Sequence, residues 1–97
     1  MEIVQAHVWI SGTVQGVGYR YHAEMKALSL ELKGWIRNLY DGRVEAVFCG
    51  SKRNVETMLA WCQKGSSSAM VERIDVRWET AGIDDDFIIR TTARGEV

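Results

Sequence analysis

A glycine-rich turn near the N-terminus contains the residues of this chain that are best placed to do chemistry. Its residues are, in order, Gly12, Thr13, Val14, Gln15, Gly16, Val17, Gly18, Tyr19 and Arg20. The turn follows an alternating apolar segment typical of a strand and precedes an Ala- and Leu-bearing segment typical of a helix. Backbone N–H groups at the start of a helix have no intrahelical partner, and the helix dipole favours an anion there. The turn is therefore a candidate phosphate site, or else a tight connection that needs glycine for its shape alone.

Arg20 adds a positive charge to this turn. A guanidinium in the first turn of a helix opposes the dipole, which costs about 0.3–1 kcal/mol when nothing compensates. An anion bound between Arg20 and the free N–H groups would reverse that cost. Glu24 is the alternative partner, because side chains four residues apart share one helix face. We favour the bound anion.

Asn38 is the second candidate residue. Asn is disfavoured in strands, yet Asn38 follows Trp35 and Ile36 in a β-prone segment. One interpretation is that it starts the turn at Asp41-Gly42, as Asn does near many turns. The other is that its amide orients a water molecule beside the glycine turn.

The remaining polar residues do not form a catalytic set. His7 and His22 are interpreted as surface or half-buried residues, and the acidic run 84–86 as a solvated loop. Neither Cys49 nor Cys62 has an evident base that would activate its thiol. An enzyme built from this chain would therefore work without a protein nucleophile or a metal.

Size, charge and cysteine content limit the classes of function. The chain has 97 residues, which suit a single domain over 1–97, and a formal net charge of -1, which recruits neither nucleic acid nor an anionic membrane. Two cysteines without a C-x-x-C pair do not make a disulfide framework or a zinc site. No apolar run reaches the ~20 residues of a membrane span. We expect a cytoplasmic monomer with no nucleic-acid or membrane partner.

Hydrophobic periodicity predicts the strands and helices that position the candidate residues. Strands are predicted at residues 4–10, 35–39, 43–49 and 74–79, and a short last strand at 87–91. One helix is predicted from the glycine turn to Leu30, and a second from Ser51 or Asn54 to Gly65; residues 93–97 are predicted to be a tail. The order β-α-β-β-α-β is that of a ferredoxin-like α+β sandwich, an antiparallel sheet with two helices on one face and an extra C-terminal strand.

Two details of this arrangement bear on function. The first helix offers two apolar stripes; we prefer the stripe Tyr19, Ala23, Ala27, Leu30 for the core over the stripe Tyr21, Met25, Leu28, Leu32, because alanine lets a helix lie close to a sheet. A right-handed crossover makes the first two strands parallel, so both end at the same edge of the sheet. The glycine turn should therefore face the same space as Arg37 and Asn38.

Two blocks of the sequence resemble the acylphosphatase family. The turn is similar to the family's phosphate loop, G-x-V-Q-G-V-x-[FY]-R, and the segments 34–38 and 41–45 are similar to its second block, G-W-V-R-N…D-G-x-V-E. The pattern extends to the strand at 87–90, so the resemblance covers nearly the whole chain. Two blocks in the right order are far more specific than either alone.

The resemblance implies hydrolysis of acyl phosphates to a carboxylate and inorganic phosphate, without a cofactor or a metal. By position, Arg20 would hold the phosphoryl oxygens and Asn38 would hold the attacking water. The backbone N–H groups of the loop would cradle the same phosphoryl group; these are the N–H groups of Gln15, Gly16, Val17, Gly18, Tyr19 and Arg20. The alternatives on the same fold are a non-catalytic phosphate- or anion-binding domain and an RNA-binding module, the latter requiring exposed aromatic residues such as Trp9 for base stacking.

Three departures from the family pattern are expected to affect stability or edge packing and not the two blocks. Glu31 stands where the family commonly has Gly, at a cost of roughly 1–2 kcal/mol if the backbone there is left-handed. The loop that often carries Gly-Pro reads Gly65-Ser66, and Thr91 replaces an aromatic residue at the end of the last strand.

Overall fold

The computed structural model describes residues 2–82 and 84–94. Its elements, in chain order, are β1 (Ile3–Thr13), α1 (Tyr19–Ser29), β2 (Lys33–Asn38), β3 (Val44–Ser51), α2 (Lys52–Lys64), β4 (Met70–Glu79) and β5 (Phe87–Ile89). Every predicted element is therefore present. β1 runs further into the glycine turn than predicted, and β5 ends at Ile89 and not at residue 91.

The five strands form one sheet in the order β4-β1-β3-β2-β5. The first four pair antiparallel, but β5 pairs parallel to β2, so the sheet is mixed and not wholly antiparallel as predicted. Because β1 and β2 are both antiparallel to β3, they run in the same direction and end at the same edge. The ferredoxin-like prediction is confirmed.

Both helices pack on one face of the sheet, where they enclose the core. Ala6, Val8 and Ile10 of β1 are fully buried beneath them, as the alternation predicts. The preferred α1 stripe is confirmed for Tyr19, Ala23 and Ala27, which are buried, whereas Tyr21 and Met25 of the other stripe are exposed. Beyond the end of the helix the prediction is wrong, because Leu30 is only partly buried and Leu32 of the other stripe is fully buried in the core. Ser51 caps α2 by accepting a hydrogen bond from the N–H of Asn54, at 3.3 Å.

The opposite face of the sheet is more covered than the sequence predicts. His7 is interpreted from the sequence as a surface or half-buried residue, but it is buried. Its Nε2 is hydrogen-bonded to Oε2 of Glu45 at 2.7 Å, and its ring stacks on that of Trp9, with ring centroids 4.1 Å apart. These two contacts cover the imidazole. The guanidinium of Arg77 lies 5.3 Å from the centroid of Trp9. The Trp9 ring is therefore already engaged within the protein, which disfavours its use as a stacking platform for RNA bases.

The segment after β5 is partly tied to the sheet. The N–H of Ala93 donates to the carbonyl oxygen of Asn38 at 3.1 Å, and the carbonyl of Ala93 accepts from the N–H of Tyr40 at 3.0 Å. The predicted tail thus begins after Ala93, and its last residues, 95–97, lie outside the described residues. Within residues 2–82 and 84–94, no helix is long and apolar enough to cross a membrane.

Candidate active site

The glycine turn between β1 and α1 contains a run of successive backbone N–H groups. Gly16 and Gly18 both adopt left-handed conformations, with φ of 73° and 76°, which glycine tolerates at low cost. The N–H groups of residues 15–20 donate to no backbone or side-chain acceptor in the described part of the chain. A run of such N–H groups next to a helix N-terminus is the type of backbone that makes concave anion-binding sites.

A small cavity of about 180 Å³ lies against this turn. It is lined by Val14, Gly16, Gly18, Tyr19, Arg20, Tyr21 and Ile89. Arg20 forms no ion pair with Glu24 or with any other described carboxylate. The alternative partner considered from the sequence is therefore not used, and the guanidinium is left at the cavity.

Gln15 joins the turn to the hairpin between β2 and β3. Its Nε2 donates to the carbonyl oxygens of Leu39, at 2.7 Å, and Arg43, at 2.8 Å. Since Leu39 directly follows Asn38, the Gln15 side chain holds the glycine turn against the end of β2. The structure thus brings the two candidate segments together through a pair of hydrogen bonds.

Asn38 lies on the helix-covered side of the sheet. Alternate residues of a strand share a face, and Ile36, two positions earlier, is fully buried in the core. The Oδ1 atom of Asn38 is buried and accepts no hydrogen bond from the described residues. The hairpin turn is closed without it, by Gly42 N–H to Leu39 O at 3.1 Å. The side-chain amide of Asn38 is therefore not needed to close the hairpin turn.

Arg37 is not part of this site, contrary to the expectation that it shares a space with Asn38. It is the neighbouring residue on β2 and so points to the opposite face of the sheet. There its Nε bonds Oε1 of Glu45 at 2.7 Å, and its guanidinium lies 4.8 Å from the ring centroid of Trp35. Only Asn38 faces the helix side.

Two supporting residues were not found from the sequence. Ser66 is buried in the loop after α2, and its Oγ donates to the carbonyl oxygen of Val17 at 2.9 Å. The departure from Gly-Pro therefore does touch the first sequence block, contrary to expectation. Ala93 bonds the backbone of Asn38, as described above. Neither residue carries a sequence signal, because both act through contacts with distant segments.

Tyr19 anchors the turn to the second helix. Its hydroxyl donates to the carbonyl oxygen of Cys62 at 2.7 Å, and burial is the main reason that its pKa is raised far above the ordinary value. Burial also raises the pKa of Cys62 to about 12. At neutral pH the thiol is therefore protonated, and it is not a nucleophile in this state.

His22 lies beside the turn on the exposed side of α1. Its Nδ1 donates to the carbonyl oxygen of Gly18 at 2.8 Å, which helps to hold the residue that precedes the helix. This places His22 at the surface, as interpreted from the sequence.

Comparisons with known proteins agree with this geometry. The family model described as Acylphosphatase matches residues 6–89. An acylphosphatase of Synechococcus sp. is 55% identical over 89 residues, covering 92% of this chain and 95% of that protein. One of Chloroflexus aurantiacus is 52% identical over 79 residues, covering 81% and 86%. The solved structure of an acylphosphatase from Coxiella burnetii superposes with a TM-score of 0.88 at 34% identity, covering 91% of this chain and 93% of that one.

Proposed function

The chain belongs to the acylphosphatase family, and from this premise we propose how it hydrolyses acyl phosphates, the mixed anhydrides of a carboxylic acid and phosphoric acid. The glycine turn and Arg20 bind the phosphoryl group, and Asn38 orients the attacking water. A cytoplasmic location, a monomeric state and the absence of nucleic-acid partners stay predictions from the sequence.

The observation that supports phosphate binding is the meeting of two kinds of donor at one cavity. The N–H groups of residues 15–20 have no acceptor among the described residues, and Arg20 has no carboxylate partner there. A dianionic phosphoryl group satisfies both: it accepts from the N–H groups and takes charge-assisted, bidentate hydrogen bonds from the guanidinium. It also converts the unfavourable position of Arg20 at a helix N-terminus into a favourable one.

The observation that supports water binding is the unpartnered Oδ1 of Asn38. A buried carbonyl oxygen without a donor costs roughly 1–3 kcal/mol, and a water molecule that donates to it removes that cost. Such a water lies at the end of β2, and Gln15 ties this end to the phosphate-binding turn. The water is then held next to the phosphorus with one lone pair free to attack.

Hydrolysis needs little beyond this positioning. The water oxygen forms a bond to phosphorus while the bond between phosphorus and the carboxyl oxygen breaks, and the carboxylate leaves with the electron pair. A phosphoryl oxygen takes the proton of the water. Because a carboxylate is a good leaving group, no general acid is required, and the protein contributes orientation and charge stabilisation.

Hydrolysis of acetyl phosphate by matched variants tests this proposal. Arg20→Ala and Asn38→Ala are each expected to lower kcat/KM by about 100-fold or more, since each removes a group that contacts the reacting atoms. Arg53→Ala is the control, because Arg53 is the second residue of α2 as Arg20 is of α1; it should retain wild-type activity. Wild-type rates in folded Arg20→Ala and Asn38→Ala proteins would overturn the assignment.

A further inference from the structure

The two apolar side chains of the cavity suggest where the acyl group lies. We propose that Tyr21 and Ile89 form a subsite for the acyl group and favour acyl groups large enough to contact both side chains. The proposal rests on the function proposed for the turn and Arg20. It adds two residues that contact the acyl end of the substrate, which the two sequence blocks do not specify.

The cavity has a polar and an apolar part. Its polar part consists of the glycine turn and Arg20, and its apolar part includes Tyr21 and Ile89. The Tyr21 side chain is 59% exposed and that of Ile89 is 38% exposed. Large apolar side chains with this much exposure at the rim of a polar site can bury further surface only against a ligand or a partner.

Two elements bring these side chains to the phosphate site. Tyr21 follows Arg20 in the first turn of α1, on the helix stripe that the core does not use. Ile89 pairs with Ile36, a core residue of β2, so its side chain projects to the side of the sheet that α1 covers. Ile88 pairs with Trp35 and projects to the other side. The parallel pairing of β5 with β2 is what places Ile89 at this cavity.

The size of the cavity suits a small substrate. A volume of about 180 Å³ is well below the roughly 300–1,000 Å³ typical of pockets for drug-sized ligands. A phosphoryl group with a short or a single-ring acyl group suits this space. A flat ring can lie against both Tyr21 and Ile89, whereas the methyl group of acetyl phosphate offers little surface to either.

The test compares benzoyl phosphate with acetyl phosphate, because the two share the phosphoryl end and differ in the acyl group. The measured quantity is the ratio of kcat/KM for benzoyl phosphate to kcat/KM for acetyl phosphate. Tyr21→Ala is expected to lower this ratio about tenfold, and Ile89→Ala about threefold, through loss of ring and aliphatic contacts.

Each variant has a matched control in the same element. Met25→Ala removes a side chain of similar exposure (52%) one turn further along α1, away from the cavity, and Ile88→Ala removes one of 46% exposure from the opposite face of β5. Both controls should keep the wild-type ratio. Circular dichroism checks that every variant is folded. Tyr21→Ala removes an exposed side chain and should fold, so this variant alone decides the test if Ile89→Ala unfolds.

The outcomes separate this proposal from the function it rests on. A ratio within twofold of wild type in folded Tyr21→Ala would overturn the acyl subsite, as would an equal fall in Met25→Ala. If Arg20→Ala still abolishes hydrolysis of both substrates in that case, the proposed function stands and only the subsite fails. If Arg20→Ala hydrolyses both substrates at wild-type rates, the phosphate site itself is wrong.

Discussion

The hydroxyl of Ser66 reaches the phosphate-binding turn from a loop 49 positions further along the chain. It holds the carbonyl oxygen of Val17, and because the peptide unit is planar and trans, the N–H of Gly18 in the same unit points the opposite way. Ser66 is therefore a positioning residue: it fixes the peptide unit of one N–H donor of the turn without contacting the substrate.

Removing this hydroxyl should weaken phosphate binding. One lost hydrogen bond of about 1 kcal/mol corresponds to about a fivefold rise in the inhibition constant for inorganic phosphate in Ser66→Ala. The measurement is product inhibition of acetyl phosphate hydrolysis. Ser67→Ala is the control, since Ser67 is exposed in the same loop. An unchanged inhibition constant in Ser66→Ala would mean that Val17 is held by other contacts.

For single residues, the sequence predicts functional groups whose role follows from their neighbours in the chain. It misses residues that reach the site from distant segments. Arg20 stands out because its charge opposes the helix dipole. Ser66, Ile89 and Ala93 reach the site only after the chain has folded, so no spacing in the sequence reveals them. His7 is a similar case: its burial depends on Glu45 of β3 and Trp9, and alternation alone describes it as an outward-facing residue.

Among the elements, the end of α1 contains a local strain that the sequence predicts. The N–H of Leu32 donates to the carbonyl of Ala27 at 2.9 Å, and that of Glu31 to Leu28 at 3.0 Å, which is the hydrogen-bond pattern of a Schellman motif. Glu31 occupies the left-handed position of this motif, with φ of 56°. Glycine is the usual residue there, because any Cβ is strained in this conformation.

Glu31→Gly is therefore expected to stabilise the protein by about 1 kcal/mol, the difference between the relieved strain and the added entropy of the unfolded chain. The free energy of unfolding from a urea titration measures this change. Glu56→Gly is the matched control: Glu56 is exposed in the middle of α2, and glycine there should destabilise by about 1 kcal/mol. If both substitutions destabilise the protein, position 31 is not strained.

The elements themselves were predictable because their hydrophobic periods are regular. Alternation in β1 and the alanine stripe of α1 both identify the buried face. The direction of β5 was not predictable, because three residues carry too little pattern to decide between parallel and antiparallel pairing. That direction matters for function, since it places Ile89, and not Phe87, toward the end of β2 that contains Asn38.

For the whole molecule, the topology is what joins the two parts of the site. β1 and β2 run in parallel on either side of β3, so the phosphate-binding turn and Asn38 meet at one edge of the sheet. The order of elements in the sequence is sufficient to predict this meeting. The bonds that fix it, from Gln15 to Leu39 and Arg43, depend on side-chain geometry that the order of elements does not specify.

The two strands that end here have different tasks: the turn after β1, with Arg20, holds the phosphate, and Asn38 of β2 holds the water. The affinity of the Asn38→Ala protein for inorganic phosphate, measured by calorimetric titration, tests this division most directly. We expect a dissociation constant within about twofold of wild type, although turnover is lost, whereas Arg20→Ala should bind phosphate more than about tenfold more weakly. A loss of phosphate affinity in Asn38→Ala as large as that in Arg20→Ala would mean that Asn38 holds the phosphate and not the water.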